Sequence, residues 1–249
     1  MHTFSPSTDP GEIIRKAAFA KHPALTEPET KAILESIGIG IPEAGVAESP
    51  DEAVSIARKL TPHLVVKVVD RLITHKTDIG GVIFPVSGPG DVRDACTRIR
   101  NNLIGNGVDA SSVGYLVETF LPAETECILG LRMDPAFGAV VVFGLGGVFV
   151  KVLGKVAFRL APLTAADIRA LLEESGALRL FHELRGVEAV DVAALEETIS
   201  AFAGLALIPE VVKHIAEIEI NPLGVGQSGC IALDAVAIFS NVDGKETKE

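Results

Sequence analysis

The chain has 249 residues, a formal net charge of -11 and 48% hydrophobic residues, with 24 glycines, one tyrosine and no tryptophan. That is enough for one large or two small domains with aliphatic cores, and it excludes a disordered polymer. The acidic balance argues against a nucleic-acid partner, which is gripped through clustered Lys and Arg, but leaves open a nucleotide, which needs only a few local cations or N–H groups.

Residues 1–22 read as an N-terminal extension, polar at first, with a short helix over 12–20. Thr26 and Glu29 have the spacing of a capping box, with Pro28 in the first turn and Gly38 past the end, so a helix is predicted near 27–36. Ser49, Pro50 and Glu52 repeat the start signal for a helix near 50–60. LVVKVV (64–69) and GVIFPV (81–86) read as strands joined by the polar loop DRLITHKTDIG. A helix near 90–103 and a strand at 114–119 follow. Residues 126–132, 138–143 and 147–153 read as a meander, then helices over 165–175, 177–184 and 191–207. Two strands, 215–220 and 230–236, close the chain around the turn PLGVGQSG, before a polar tail at 241–249.

Helices alternate with strand pairs close enough to be hairpins, which is not the strict rhythm of a Rossmann sheet. The fold class read here is α/β (α+β) with two lobes, 23–117 and 118–240, parting near 115–120. Cys96, Cys127 and Cys230 are scattered and form no CxxC pattern. There is no signal-peptide core and no apolar run near the ~20 residues of a membrane helix. A reducing cytoplasm is the reading.

Several residues stand out chemically. Lys67 lies within an apolar strand, and a buried ammonium needs an anion, for which a nucleotide phosphate or a solvated strand face are the alternatives. In HKTDIGG (75–81), Gly80 and Gly81 let backbone N–H groups approach a phosphate, and His75 could accept a phosphoryl group; an ordinary polar hairpin loop is the alternative. No GxxxxGK[ST] is present, which excludes a P-loop. GLGG (144–147), with Gly146 and Gly147, reads either as a nucleotide cover or as a tight hairpin. In IAEIEIN, alternation sets Glu217, Glu219 and Asn221 on one strand face and Ile218 and Ile220 on the other. Asp234 interrupts the apolar run IALDAVAI; if the two strands pair, Asn221 and Asp234 can converge, and their hard oxygens suit Mg²⁺. Glu118 and Glu126 lie near strand positions and by themselves read as surface carboxylates, while Arg159 is an isolated cation between apolar residues and a candidate phosphate contact.

Taken in order, LTEPETKAILESIGIGIPE, VVKVVDRLITHKTDIGGV, DPAFGAVVVFGLGGVFVKVL, FRLAPL and EIEINPL…ALDAVAI resemble the ATP-grasp part of ADP-forming acetyl-CoA synthetases, from about Leu25 to Phe239. A more distant resemblance is to the succinyl-CoA synthetase beta subunit. The resemblance implies the ATP-grasp fold, two α/β subdomains clamping ATP or ADP with Mg²⁺. It implies Lys67 as a phosphate contact, His75 as a relay histidine, and Gly80, Gly81 and Val82 in the family's HKSD-type loop. It places Glu118 at the adenine-side hinge, matches Glu126, Gly146 and Gly147 to the nucleotide site, and matches Asn221 and Asp234 to the metal ligands. The family's Arg after the metal Asp is missing, since Asp234 is followed by Ala235 and Val236. No CoA-binding unit fits in this length; in the family it sits on an alpha subunit or a fused segment, so the resemblance implies either a separate beta subunit, with a CoA-binding alpha-type partner in an α2β2 assembly, or an excised domain. A self-sufficient carboxylate–amine ligase and a non-catalytic nucleotide-binding subunit are the alternative functions.

Overall fold

The computed structural model describes residues 9–60, 62–147, 155–183 and 190–240. Pro42–Leu121 forms one compact unit, and the described parts of Pro6–Ile41 and Pro122–Glu249 together form a second.

The first unit is built on a four-stranded antiparallel sheet. In chain order its strands are β2 (Ala44–Ala47), β3 (His63–Val69), β4 (Val82–Ser87) and β5 (Gly114–Thr119), arranged β2-β5-β3-β4. Two helices, Pro50–Ala57 and Gly88–Gly105, complete it. Val92, Cys96, Ile99 and Leu103 recur at helical spacing along the longer helix and are fully buried. They join Leu64, Val66, Val68, Tyr115 and Val117, the alternate residues of β3 and β5, in one core.

Gly81 enters β4 where nothing larger fits. A Cβ there would stand 2.6 Å from Val68 Cγ1 and 2.9 Å from the Lys76 carbonyl oxygen. Gly81→Ala is therefore expected to cost about 1–3 kcal/mol in a thermal or urea melt. Gly90→Ala, whose Cβ meets nothing within 4 Å, serves as the control and is expected to melt like the parent chain.

The second unit has a seven-stranded antiparallel sheet. It comprises β1 (Ala24–Leu25), β6 (Thr125–Asp134), β7 (Gly138–Leu145), β8 (Val156–Leu160), β9 (Ile215–Gly226), β10 (Gly229–Ala232) and β11 (Ala235–Phe239). The order is β1-β11-β9-β6-β7-β8, with β10 off this path and paired with β9. Ile218 and Ile220 of β9 and Leu129 and Leu131 of β6 point into the core against Leu171, Leu172, Leu195, Ile199 and Phe202 of the helices Ala165–Glu174 and Val192–Ala203.

The capping box is present in both directions. After the helix α1 (Pro10–Phe19), Thr26 Oγ1 accepts from the Glu29 N–H at 3.4 Å, and Glu29 Oε2 accepts from the Thr26 N–H at 2.9 Å, opening the helix α2 (Glu27–Ser36). The structure departs from the sequence reading in several places. Residues 23–41, assigned by sequence to the first lobe, belong to the second unit, because Ala24 pairs with Ile238 of β11 and Gly40 bridges Ile231. The strand expected at 147–153 falls outside the described residues apart from Gly147, and β8, not foreseen, lies beside β7. The strand expected at 230–236 is two, parted at Leu233 and Asp234, and the one expected to stop at 220 runs on to Gly226. Residues 204–207 are a 3-10 turn, and a further helix spans Pro209–His214. Among the described residues no helix is long and apolar enough to cross a membrane.

Candidate functional site

Within the first unit, alternation along β3 turns Lys67 away from the Leu64–Val66–Val68 core face. Lys67 pairs with Leu116 across the strands while Glu118 pairs with Val65, so the two charged residues are diagonal neighbours on one face. Lys67 Nζ lies 2.6 Å from Glu118 Oε1, and both side chains are almost wholly buried. The anion that the sequence demanded for Lys67 is thus a carboxylate of the same sheet. Such a pair is seldom retained for stability, because desolvating two charges offsets most of their attraction.

The loop after β3 closes on itself. Gly81 N–H donates to the Lys76 carbonyl at 2.7 Å and Gly80 N–H to the Thr77 carbonyl at 3.1 Å. Gly80 has φ +66, and Asn102 Nδ2 donates to its carbonyl at 2.9 Å. The two N–H groups that the sequence offered to a phosphate are therefore used inside the loop, and the glycines have steric reasons to be there. Val82 sits opposite Lys67 in the ladder. His75 is exposed in this loop, and its neighbour Lys76 is buried.

Within the second unit, β9 and β11 deliver the pair expected to hold a metal. Ala235 pairs with Ile220, and one step on the Asn221 N–H donates to the Asp234 carbonyl at 3.0 Å. Cross-strand partners share a face, so both side chains rise from the face opposite the buried Ile218 and Ile220. Asp234 stands in the two-residue break between β10 and β11, and Leu233 N–H donates to the Pro222 carbonyl at 3.0 Å. The sequence placed Glu219 on this face but gave it no partner; its Oε1 accepts from Asn221 Nδ2 at 3.1 Å. Burial raises the Glu217 carboxyl above its usual range, and the neighbouring Glu219 adds to this, against Arg132 across the ladder.

Glu126 and the GLGG turn also meet. Gly146 N–H donates to the Glu126 carbonyl at 2.7 Å, and a Cβ on Gly147, at φ +58, would stand 3.0 Å from Glu126 Oε2. Arg159 answers differently from the expectation of a phosphate contact. Its guanidinium grips Glu174 through two bonds, of 2.9 and 2.6 Å, and donates to the Phe158 carbonyl at 2.7 Å. That bidentate bond raises the Arg159 pKa and lowers that of Glu174. Arg159 lines an open hollow of about 590 Å³ with Arg132, Phe137 and Phe158.

The donor chemistry fits Mg²⁺ carried by a nucleotide. Asn221 and Asp234 offer an amide oxygen and carboxylate oxygens, all hard ligands. Among the described residues no group of three or more His, Cys, Asp or Glu side chains could hold a metal ion. A two-residue site is what Mg²⁺ needs when phosphates and waters complete its shell.

Comparison with known proteins shows the family. The ATP-grasp domain family matches residues 16–238. The subunit beta of Pyrococcus furiosus acetate–CoA ligase [ADP-forming] I is 39% identical over 92% of this chain and 97% of its own length. The Candidatus Korarchaeum cryptofilum acetyl-coenzyme A synthetase 1, solved with coenzyme A and Ca-AMPCP, is 34% identical, with a TM-score of 0.86 over 93% of this chain and 100% of that one. The same enzyme solved with coenzyme A and Mg-AMPPCP, its phosphohistidine segment pointing towards the nucleotide binding site, gives a TM-score of 0.77 at 32% identity over the same shares of the two chains. With the antiparallel sheets, the opposed Asn221 and Asp234 and these relatives together, the chain belongs to the ATP-grasp family and, within it, to the beta subunits of ADP-forming acetate–CoA ligases.

Proposed function

We propose that this chain is the nucleotide-binding subunit of an ADP-forming acid–CoA ligase that works with a CoA-binding alpha-type subunit in an α2β2 assembly. The overall reaction is acyl-CoA + ADP + phosphate ⇌ acid + CoA + ATP. The observation that carries this reading is the opposition of Asn221 and Asp234 across β9 and β11. Bound there with the nucleotide, Mg²⁺ would neutralise phosphate charge.

The chain's own residues supply the remaining tasks. Asn221 and Asp234 hold the metal through oxygen, and Glu219 orients the Asn221 amide. Lys67, held by Glu118, presents its ammonium to the nucleotide phosphates, stabilising charge on the transferring group. Glu126, with Gly146 and Gly147 against it, frames the nucleotide. His75, exposed in the loop after β3, takes the phosphoryl group from the partner's phosphohistidine. One P–N bond breaks as the other forms; the β-phosphate oxygen of ADP then takes the group and leaves His75 neutral.

The test is reconstitution with an alpha-type subunit. The pair is expected to make ATP from acyl-CoA, ADP and phosphate, and neither subunit to do so alone. His75→Ala is expected to lower turnover about 100-fold or more while Mg-ADP binding by calorimetry is retained. An undiminished turnover removes His75 from the relay, and ATP synthesis by this chain alone removes the partner requirement.

A further inference from the structure

A second ion pair is buried in this chain, and the site as described so far does not use it. Glu27 and Lys31 are one turn apart on α2, with side chains 2% and 3% exposed and Nζ 2.8 Å from Oε1. Helix pairs at this spacing are normally solvated and stabilise by only a few tenths of a kcal/mol. Here both charges are out of water, so their desolvation cancels most of that attraction. A second bond accounts for the arrangement. Lys31 Nζ donates at 2.9 Å to the carbonyl of Leu233, 202 residues away in the chain and immediately before Asp234.

Backbone bonds also hold the break that carries Asp234. Leu233 N–H reaches the Pro222 carbonyl at 3.0 Å, Ala232 N–H reaches Gly40 at 2.8 Å, and the Asp234 carbonyl takes the Asn221 N–H at 3.0 Å. Each of these bonds fixes a strand end. The Lys31 bond fixes the peptide that joins Leu233 to Asp234, and so the direction in which the Asp234 side chain leaves the backbone. A charged donor bonds a carbonyl about twice as strongly as a neutral one. Glu27 cancels the ammonium's charge, so that a cation beside Asp234 does not oppose the metal.

We propose that the Glu27–Lys31 pair is a positioning device for the metal ligand Asp234, setting Mg²⁺ affinity without touching metal or nucleotide. The inference rests on the reading of Asn221 and Asp234 as the Mg²⁺ site. Groups that orient a metal ligand from behind typically change metal affinity 10–100-fold when removed.

The experiment compares the parent chain with the double variant Glu27→Gln/Lys31→Met, which removes both charges and keeps the volumes. ADP binding is followed by calorimetry in EDTA and across a Mg²⁺ titration, and melting temperature is recorded alongside. The double variant is expected to melt within a few degrees of the parent, since replacing both partners of a buried pair is often neutral. Its ADP affinity in EDTA is expected to be unchanged, and its half-saturating Mg²⁺ to rise about 10-fold or more. A purely structural pair would move melting temperature and leave the Mg²⁺ requirement alone, which overturns the proposal. If the double variant does not fold, Lys31→Arg decides, because it keeps charge and donors but displaces them. A raised Mg²⁺ requirement at constant metal-free affinity supports positioning, and an unchanged one overturns it. Metal-independent ADP binding by the parent chain would instead strike at the metal reading itself, and the inference would fall with it.

Discussion

Asp234→Ala is expected to lower Mg-ADP affinity by about 100-fold or more, close to 2.7 kcal/mol, with little change in melting temperature. The affinity follows from the small ligand set. In the proposed site two side chains hold the metal, so losing one removes half of the protein's share and the charged half of it. The stability follows from position: Asp234 is half-buried in a two-residue break, outside the apolar core that Ile218 and Ile220 complete. Asn221→Ala is expected to show the same pattern more weakly, because a neutral amide is lost. Calorimetry with and without EDTA separates the effect from general damage. If Asp234→Ala binds Mg-ADP like the parent, the metal assignment is wrong.

Lys67→Met is expected to act on stability and binding together. It leaves Glu118, 2% exposed, without the ammonium at 2.6 Å, and breaking a buried pair in this way costs about 3–5 kcal/mol. In a unit of this size that lowers the melting temperature by more than about 10 °C. The double variant Lys67→Met/Glu118→Leu separates the two effects. It removes both charges, so most of the lost stability is expected to return, while Mg-nucleotide affinity stays low because no ammonium faces the phosphates. Recovery of nucleotide affinity along with stability would show that Lys67 serves the sheet and not the ligand.

Local signals carried much of the fold. The helix Glu27–Ser36 starts where Thr26, Pro28 and Glu29 say it should, and the alternation of Glu217, Glu219 and Asn221 with Ile218 and Ile220 matches their burial. The opposition of Asn221 and Asp234 was also legible, since it needs only that two strands pair around a turn. What the sequence hid depends on distant partners. Lys67 plainly required an anion, but Glu118 is brought to it by a strand pairing that spacing does not reveal. Gly80 and Gly81 read as phosphate-cradling, whereas Asn102 and Val68 explain both by close approach. Arg159 looked like a lone cation because Glu174, in the following helix, gives no sign of its partner. Nothing local marks Leu233 as the acceptor of Lys31.

The pairing of Ala24 with Ile238 and of Gly40 with Ile231 has a consequence for how the chain is made. Residues 42–121 are a continuous segment interrupting the other unit. On the ribosome that segment emerges whole and has every strand of its own sheet to hand. The residues before it must wait for β11 to be synthesised before their own ladder can form. Synthesis therefore orders assembly: the inserted unit can close early, while β1 and α2 stay without their β11 neighbour until the ribosome has passed Phe239.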